Sequence, residues 1–257
     1  MISSLNLTNQ FTAHNIHLDD GTFTMGSPNN ELARHPRAES AVRLLRALFP
    51  QGCKGKRIVD LGCLEGGYAV EFARMGFDTL GIEVRSNNFS NCLYVKKHLD
   101  LPNLEFAQDS VWNIAKYGKF DAIYCCGLLY HLDRPVAFLE LLSSLCNKAL
   151  IVNTHYAATV GNHAKPTEKF VESEGVVGFW YDEHNAGSDE ERERLKWASW
   201  ENTRSFWPKK EYLPQMIKRA GFDLVFEQFD WVGPDILQGI NDHLIGDSRV
   251  QFVGIKS

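Results

Sequence analysis

Apolar residues along this chain keep two spacings in turn. At 38, 41, 42, 45, 48 and 49 they fall on one face of an amphipathic helix over 36–49, which Pro50-Gln51-Gly52 ends. From position 58 short apolar runs alternate with helix-spaced stretches. The pattern predicts strands over 58–61, 79–82, 104–107, 120–126 and 149–154. Between them it predicts helices over 68–75, 88–99 (capped by Ser86 or Asn87), 111–117 and 135–146 (capped by Asp133). Strands separated by helices in this way build a parallel sheet covered on both faces, an α/β fold. The rhythm then stops. Residues 155–207 carry scattered glycines, a charged stretch and a run of aromatics. Ser188-Asp189-Glu190-Glu191 has the form of a capping box and predicts a charged helix running towards Trp200. An irregular segment this long between two sheet elements reads as a functional lid. Afterwards a helix is expected over 208–220, stopped by Gly221, then two alternating strands over 222–231 and 248–256, paired antiparallel at the sheet edge.

Composition narrows the field. The 257 residues suffice for one large α/β domain, 1–257, with residues 1–50 as an N-terminal extension and helix and 155–207 as an insertion. Lys and Arg number 27 against 32 Asp and Glu, a formal charge of −5, so no overall basic footprint for nucleic acid exists. The first residues lack the charged and apolar regions of a signal peptide, and no apolar run reaches membrane-spanning length; the expectation is a cytoplasmic protein without a membrane partner. Oligomeric state is not legible. Cysteines at 53, 63, 92, 125, 126 and 146 form no C-x-x-C pair, and no histidine or carboxylate run has ligand spacing, so buried thiols and no metal are expected.

The chemistry concentrates in Ile58-Val59-Asp60-Leu61-Gly62-Cys63-Leu64-Glu65-Gly66-Gly67. A β-branched run ends near an acid, breaks into a glycine-rich turn and leads into a helix. About twenty residues on, a second strand ends in Glu83. A tight turn plus a carboxylate for ribose hydroxyls describes a nucleoside site. In the dinucleotide fingerprint the second glycine lets the backbone approach a pyrophosphate; Leu64 holds that position here and would crowd the phosphates. A nucleoside without a pyrophosphate has no such need. The turn, with Asp60 and Glu83, resembles motifs I and II of the class I S-adenosylmethionine-dependent methyltransferases. That resemblance implies a Rossmann-like, mostly parallel seven-stranded sheet with an antiparallel last strand and the lid inserted after strand 5. It also implies S-adenosylmethionine as cofactor, bound by Asp60, Gly62, Cys63, Leu64 and Gly66 at the turn and by Glu83 on the ribose. Val84, Asp109, Ser110 and Val111 would surround adenine, with Gly127 where strand 4 passes the cofactor. Asp109 has a second reading, as N-cap of the next helix.

Gly127-Leu128-Leu129-Tyr130-His131, then Pro135 and an amphipathic helix, narrows the likeness. With Asn15-Ile16-His17-Leu18-Asp19-Asp20-Gly21 upstream and Ser205-Phe206-Trp207-Pro208 downstream, it resembles the branch containing the bacterial tRNA wobble-uridine carboxymethyltransferases, over roughly residues 14–231. Those enzymes use a carboxylated form of the cofactor, whose extra carboxylate needs basic and phenolic groups, and the sequence does not single these out. No cluster of Lys and Arg offers tRNA several phosphate contacts. The expected acceptor is therefore a small molecule methylated on oxygen or nitrogen, with tRNA modification and a non-catalytic binding module as the alternatives.

Methyl transfer from a sulfonium depends chiefly on alignment; a protonated nucleophile also needs a base. His131 and His155 both lie just past predicted strand ends and are the candidates, although each is equally read as a rim histidine satisfied by backbone groups. Among the aromatics near the insertion, Tyr130, Trp200 and Trp207 are candidate acceptor contacts, with core packing as the plain alternative. Arg204 is read either as an anion contact or as a partner of Glu201.

Overall fold

The computed structural model describes residues 10–163 and 169–257. Its frame is a seven-stranded sheet: β1 (Arg57–Leu61), β2 (Asp78–Glu83), β3 (Leu104–Gln108), β4 (Phe120–Cys126), β5 (Cys146–His155), β9 (Leu224–Glu227) and β10 (Arg249–Ile255). Their order is β3-β2-β1-β4-β5-β10-β9. The first five strands pair in parallel, and β10 runs antiparallel to both β5 and β9. Helices α1 (Pro36–Leu48), α2 (Gly67–Arg74), α3 (Ser86–Lys97), α4 (Pro135–Leu145) and α6 (Leu213–Arg219) cover the sheet.

Central strands are apolar on both sides because both faces are covered. In β4 the adjacent thiols separate as a strand's two-residue period requires: Cys125 enters the core cluster holding Phe138 and Phe206, and Cys126 packs against the cluster holding Leu45 and Phe72. The order of strands reverses between β1 and β4, which places a crevice beyond the carboxyl ends of β1, β2 and β4.

Residues 171–208 are more regular than the sequence promised. β6 (Val171–Ser173), β7 (Val176–Asp182) and β8 (Arg204–Pro208) form a three-stranded antiparallel sheet, and α5 (Asp189–Arg194) lies between β7 and β8. The insertion leaves and returns at one point, where Ala157 N–H donates to the Pro208 carbonyl at 2.9 Å. Ser188 caps α5 as expected, through its hydroxyl to Glu191 N–H. The helix stops at Arg194, well short of Trp200, because the carbonyls of Leu195, Ala198 and Ser199 turn to the Arg85 guanidinium.

Other boundaries differ for similar reasons. The 111–117 segment is a 3-10 helix capped by Ser110, and the expected 208–220 helix divides into the end of β8, a 3-10 turn and α6. Neither Ser86 nor Asn87 caps α3: their own N–H groups donate to the Glu193 carboxylate of α5. Nor does Asp133 cap α4. Glu174, at the β6–β7 turn with φ +51°, accepts from Val136 N–H at 3.0 Å and Ala137 N–H at 3.1 Å. The insertion thus satisfies orphan donors of two helices in the main layer. Glu174→Ala is expected to cost about 1 kcal/mol, the usual worth of a lost N-cap, read as a lower midpoint in urea unfolding; an unchanged midpoint contradicts the capping role.

Candidate functional site

A cavity of about 370 Å³ opens in the crevice at the strand ends. Gly62, Cys63 and Leu64 of the glycine turn form its floor. Gly62, Leu64 and Gly66 all take positive φ (64°, 54° and 82°), coiling the backbone tightly enough to present the turn to the cavity. Glu83, 4% exposed, ends β2 with its carboxylate held by two backbone donors and the Asn88 side chain: Oε2 accepts from Leu64 N–H at 2.9 Å and Oε1 from Arg85 N–H at 2.8 Å. Burial raises its carboxyl above the ordinary value, and these donors oppose the rise. Asp60 lies at the end of β1, 2% exposed, with Oδ2 unpartnered and its carboxyl pushed up to about 8 by burial.

These observations test the expected cofactor. An ammonium group on an amino-acid tail would supply both the donor and the charge that Asp60 lacks. The remaining lone pairs of a fixed Glu83 carboxylate suit a pair of ribose hydroxyls. Cys63, Val84, Ser110 and Val111 line the same cavity, and so do Gly62, Leu64 and Gly127. The residues fit S-adenosylmethionine.

Two expected cofactor contacts lie elsewhere. A Cβ on Gly66 would come within 2.7 Å of the Phe106 ring, so this glycine serves helix-on-strand packing and does not line the cavity. Asp109 also stays outside the lining. Its carboxylate accepts from Ser110 N–H, Asn113, Lys116 and Tyr117; these bonds overcome the cost of burial and hold it to about 2. It organises the 3-10 turn and has little left to offer an adenine. Nor does it cap that turn, since Ser110 does.

The two histidines separate clearly. His131 lines the cavity, and its Nδ1 is 3.0 and 3.1 Å from the two carboxylate oxygens of Glu183. His155 is not among the lining residues. Its Nδ1 is 2.7 Å from the Asp247 carbonyl, its Nε2 is 3.4 Å from Arg249, and its ring stacks on Trp207 at 5.2 Å. Burial first, and Arg249 second, lower it to about 3. It is a packed, neutral histidine, which is the plain reading of the pair offered by the sequence.

Acceptor contacts divide in the same way. Tyr130 and Trp200 line the cavity. Trp207 is 2% exposed and stacks on Tyr181, with Nε1 donating to the Tyr130 carbonyl. Arg204 faces outward, paired with Asp182 and lying over Trp180, not with Glu201. Both lie outside the cavity because β8 carries them into and behind the small sheet.

Several lining residues escaped the sequence reading. Lys196, Trp197, Ala198 and Ser199, next to the expected Trp200, cover one side. They are fastened from below: Arg85 holds their carbonyls and lies 5.3 Å over Trp200, while Lys196 pairs with Glu65. Glu65, within the turn itself, also accepts from the N–H groups of Thr12, Ala13 and His14, which seats the N-terminal segment on the site. His14 Nδ1 in turn accepts from Gly67 N–H at the start of α2. Arg37, whose Nε is buried and unpartnered, and Arg249 line the cavity too; among the described residues Arg249 bonds to the neutral groups of Asn153, His155 and Tyr130.

A family model described as a methyltransferase domain matches residues 33–227. The chain belongs to the methyltransferase-domain family. Within it, the chain is 32% identical over 96 residues to the tRNA U34 carboxymethyltransferase of Campylobacter hominis, a stretch covering 37% of this chain and 33% of that protein. It is 27% identical over 96 residues to the ubiquinone biosynthesis O-methyltransferase of Acinetobacter baylyi, covering 37% of this chain and 40% of that one. The match thus spans well under half the length of these curated relatives. In structure it is similar to the N-terminal domain of EvdMO1, crystallised with SAH and D-fucose, with a TM-score of 0.66, 21% identity, and 97% of this chain and 91% of that one covered. That likeness is one of fold.

Burial fixes a pH response. It lowers His14 to about 4, with Glu65 acting in the opposite direction, and His155 to about 3, both below the 6.5 of a free imidazole. These two histidines therefore bind fewer protons in the folded state than in the unfolded chain below pH about 6.5. Their contribution to stability is complete above that value and is lost progressively as the pH falls towards 4, against the smaller opposing effect of Asp60. Thermal unfolding followed across this range should show Tm dropping with acidification. A flat Tm between pH about 6.5 and 4.5 contradicts it.

Proposed function

We propose that this chain transfers a methyl group from S-adenosylmethionine to an oxygen or nitrogen of a small-molecule acceptor. The observation that carries the reading is the paired acid arrangement at the switch point: Glu83 fixed by two backbone donors and Asp60 with an orphaned, buried oxygen in the same cavity. When bound, the cofactor supplies an activated methyl on a sulfonium. Asp60 would hold its amino group, Glu83 its ribose, and the 110–111 turn its base. The 195–202 segment acts as the lid, excluding water over the acceptor, and Tyr130, Trp200 and His131 face the space it encloses. Holding the two reactants in line supplies most of the acceleration, with an effective molarity on the order of 10^5–10^8 M.

A covered cavity of about 370 Å³ favours a small acceptor over a splayed nucleotide in a long RNA. A second reading has one observation of its own. The basic and phenolic groups that a carboxylated cofactor requires meet at the cavity wall, where Arg249 lies 5.5 Å over the Tyr130 ring and carries no carboxylate partner among the described residues. The same pair would equally hold a carboxylate borne by the acceptor.

Native mass spectrometry of freshly purified protein, with exchange against added nucleosides, decides between these. Retained S-adenosylmethionine or its demethylated product supports the first reading. The carboxylated form supports the second and moves tRNA ahead as acceptor. A nicotinamide or flavin nucleotide overturns both.

A further inference from the structure

We propose that Glu183, contributed by the insertion just after β7, is the positioning residue that sets the tautomer and orientation of His131 for removing a proton from the acceptor. The inference rests on His131 as the base.

Glu183 is the more deeply buried of the two, its side chain 3% exposed against 17% for His131, and both its oxygens approach Nδ1. A carboxylate offers only acceptors, so Nδ1 must carry the hydrogen and Nε2 is the nitrogen left with a lone pair. Burial alone would oppose ionisation of Glu183. The hydrogen bond and charge of His131 outweigh it, with help from Ser205 and from Ser199 N–H at 2.9 Å, and the carboxyl lies below its ordinary value. The group is thus ionised whenever the site works near neutral pH.

The same contacts tie the base to the lid. Ser199, whose N–H reaches Glu183, lines the cavity, and Asn202 Nδ2 donates to the His131 carbonyl at 3.0 Å. In the transfer, the acceptor's lone pair forms the new bond to the methyl carbon while the pair of the old S–C bond stays on sulfur. The acceptor's proton moves to Nε2, and the resulting imidazolium faces Glu183 through Nδ1–H. The other charged or titratable groups facing this pair are Tyr130, whose ring lies 4.2 Å from that of His131, His155 from β5, Arg85 acting on Glu183, and Lys196 and Glu201 on the cavity wall. None of these is a carboxylate bonded to the His131 ring.

Glu183→Gln keeps the shape and removes the charge. Expected are a kcat about 10- to 100-fold lower, a cofactor KM little changed, and an ascending limb of the kcat–pH profile displaced to lower pH by about one unit, because an imidazolium without its anion loses its proton more readily. Glu183→Asp should recover part of kcat and part of the displacement. Imidazole nitrogen shifts of His131, measured by NMR without any acceptor, should report hydrogen on Nδ1 in the parent protein and a lower titration midpoint in Glu183→Gln. A drop in kcat with neither the profile nor the midpoint moved means that Glu183 is merely structural, and overturns the inference. His131→Ala separates the underlying reading: full turnover there refutes the base, whereas lost turnover with an unmoved Glu183→Gln profile refutes Glu183 alone.

Discussion

Alanine at His131 should lower kcat by about 10^2- to 10^4-fold and leave cofactor affinity within a few-fold of the parent. That range is what a positioned general base contributes. His131 lines the cavity beside Tyr130, with Nδ1 committed to Glu183, while none of its side-chain bonds reaches the turn or Glu83. Chemistry and cofactor binding should therefore part company. The loss should shrink as the pH rises and the acceptor ionises without help. His155→Ala makes the comparison sharp: its ring is packed against Trp207 and bonded to Asp247, so it should lower stability and spare the chemical step in whatever protein still folds. The check is release of the demethylated cofactor at saturating substrates. Full turnover in His131→Ala would mean that the acceptor arrives already deprotonated, or that alignment alone suffices.

The features legible in advance were those whose signal is local in sequence. A β-branched run ending in Asp60, a glycine turn, and a second strand ending in Glu83 specify the switch point because each piece is a short-range rule about backbone and burial. The same holds for the reversed β10, announced by two late strands with no long helix between them. The insertion was harder. Val176 to Tyr181 is a run of β-branched and aromatic residues after Glu174-Gly175, a hairpin signal obscured by its charged and glycine-rich surroundings. The end of α5 was not legible, because Arg85, more than a hundred positions away, takes the carbonyls that would have continued it. Long-range partners explain the misplaced contacts too. Gly66 answers to Phe106, and Trp207 to His155 and Tyr181. Glu183 and Arg249 carry no motif; only the sheets bring one to His131 and the other to Tyr130.

Glu83→Ala should weaken cofactor binding by about 100-fold. Two charge-assisted hydrogen bonds to ribose hydroxyls would contribute about 1.5–3 kcal/mol each, and allowing for water that enters in their place, a net loss of about 3 kcal/mol corresponds to that factor. The carboxylate has a second task. By accepting from Leu64 N–H and Arg85 N–H it joins the glycine turn to the residue that fastens the lid, so its removal loosens floor and cover together. Glu83→Gln separates the tasks. The amide oxygen still accepts one backbone N–H, the charge is lost, and the expected weakening is about tenfold. Alanine also leaves the Leu64 and Arg85 N–H groups without their acceptor, so its unfolding midpoint should fall, while that of glutamine stays nearer the parent. Titration calorimetry with the demethylated cofactor checks the prediction without any acceptor. An unchanged Kd in a folded Glu83→Ala protein would remove the ribose assignment, and with it the strongest argument for the orientation of the nucleoside in this cavity.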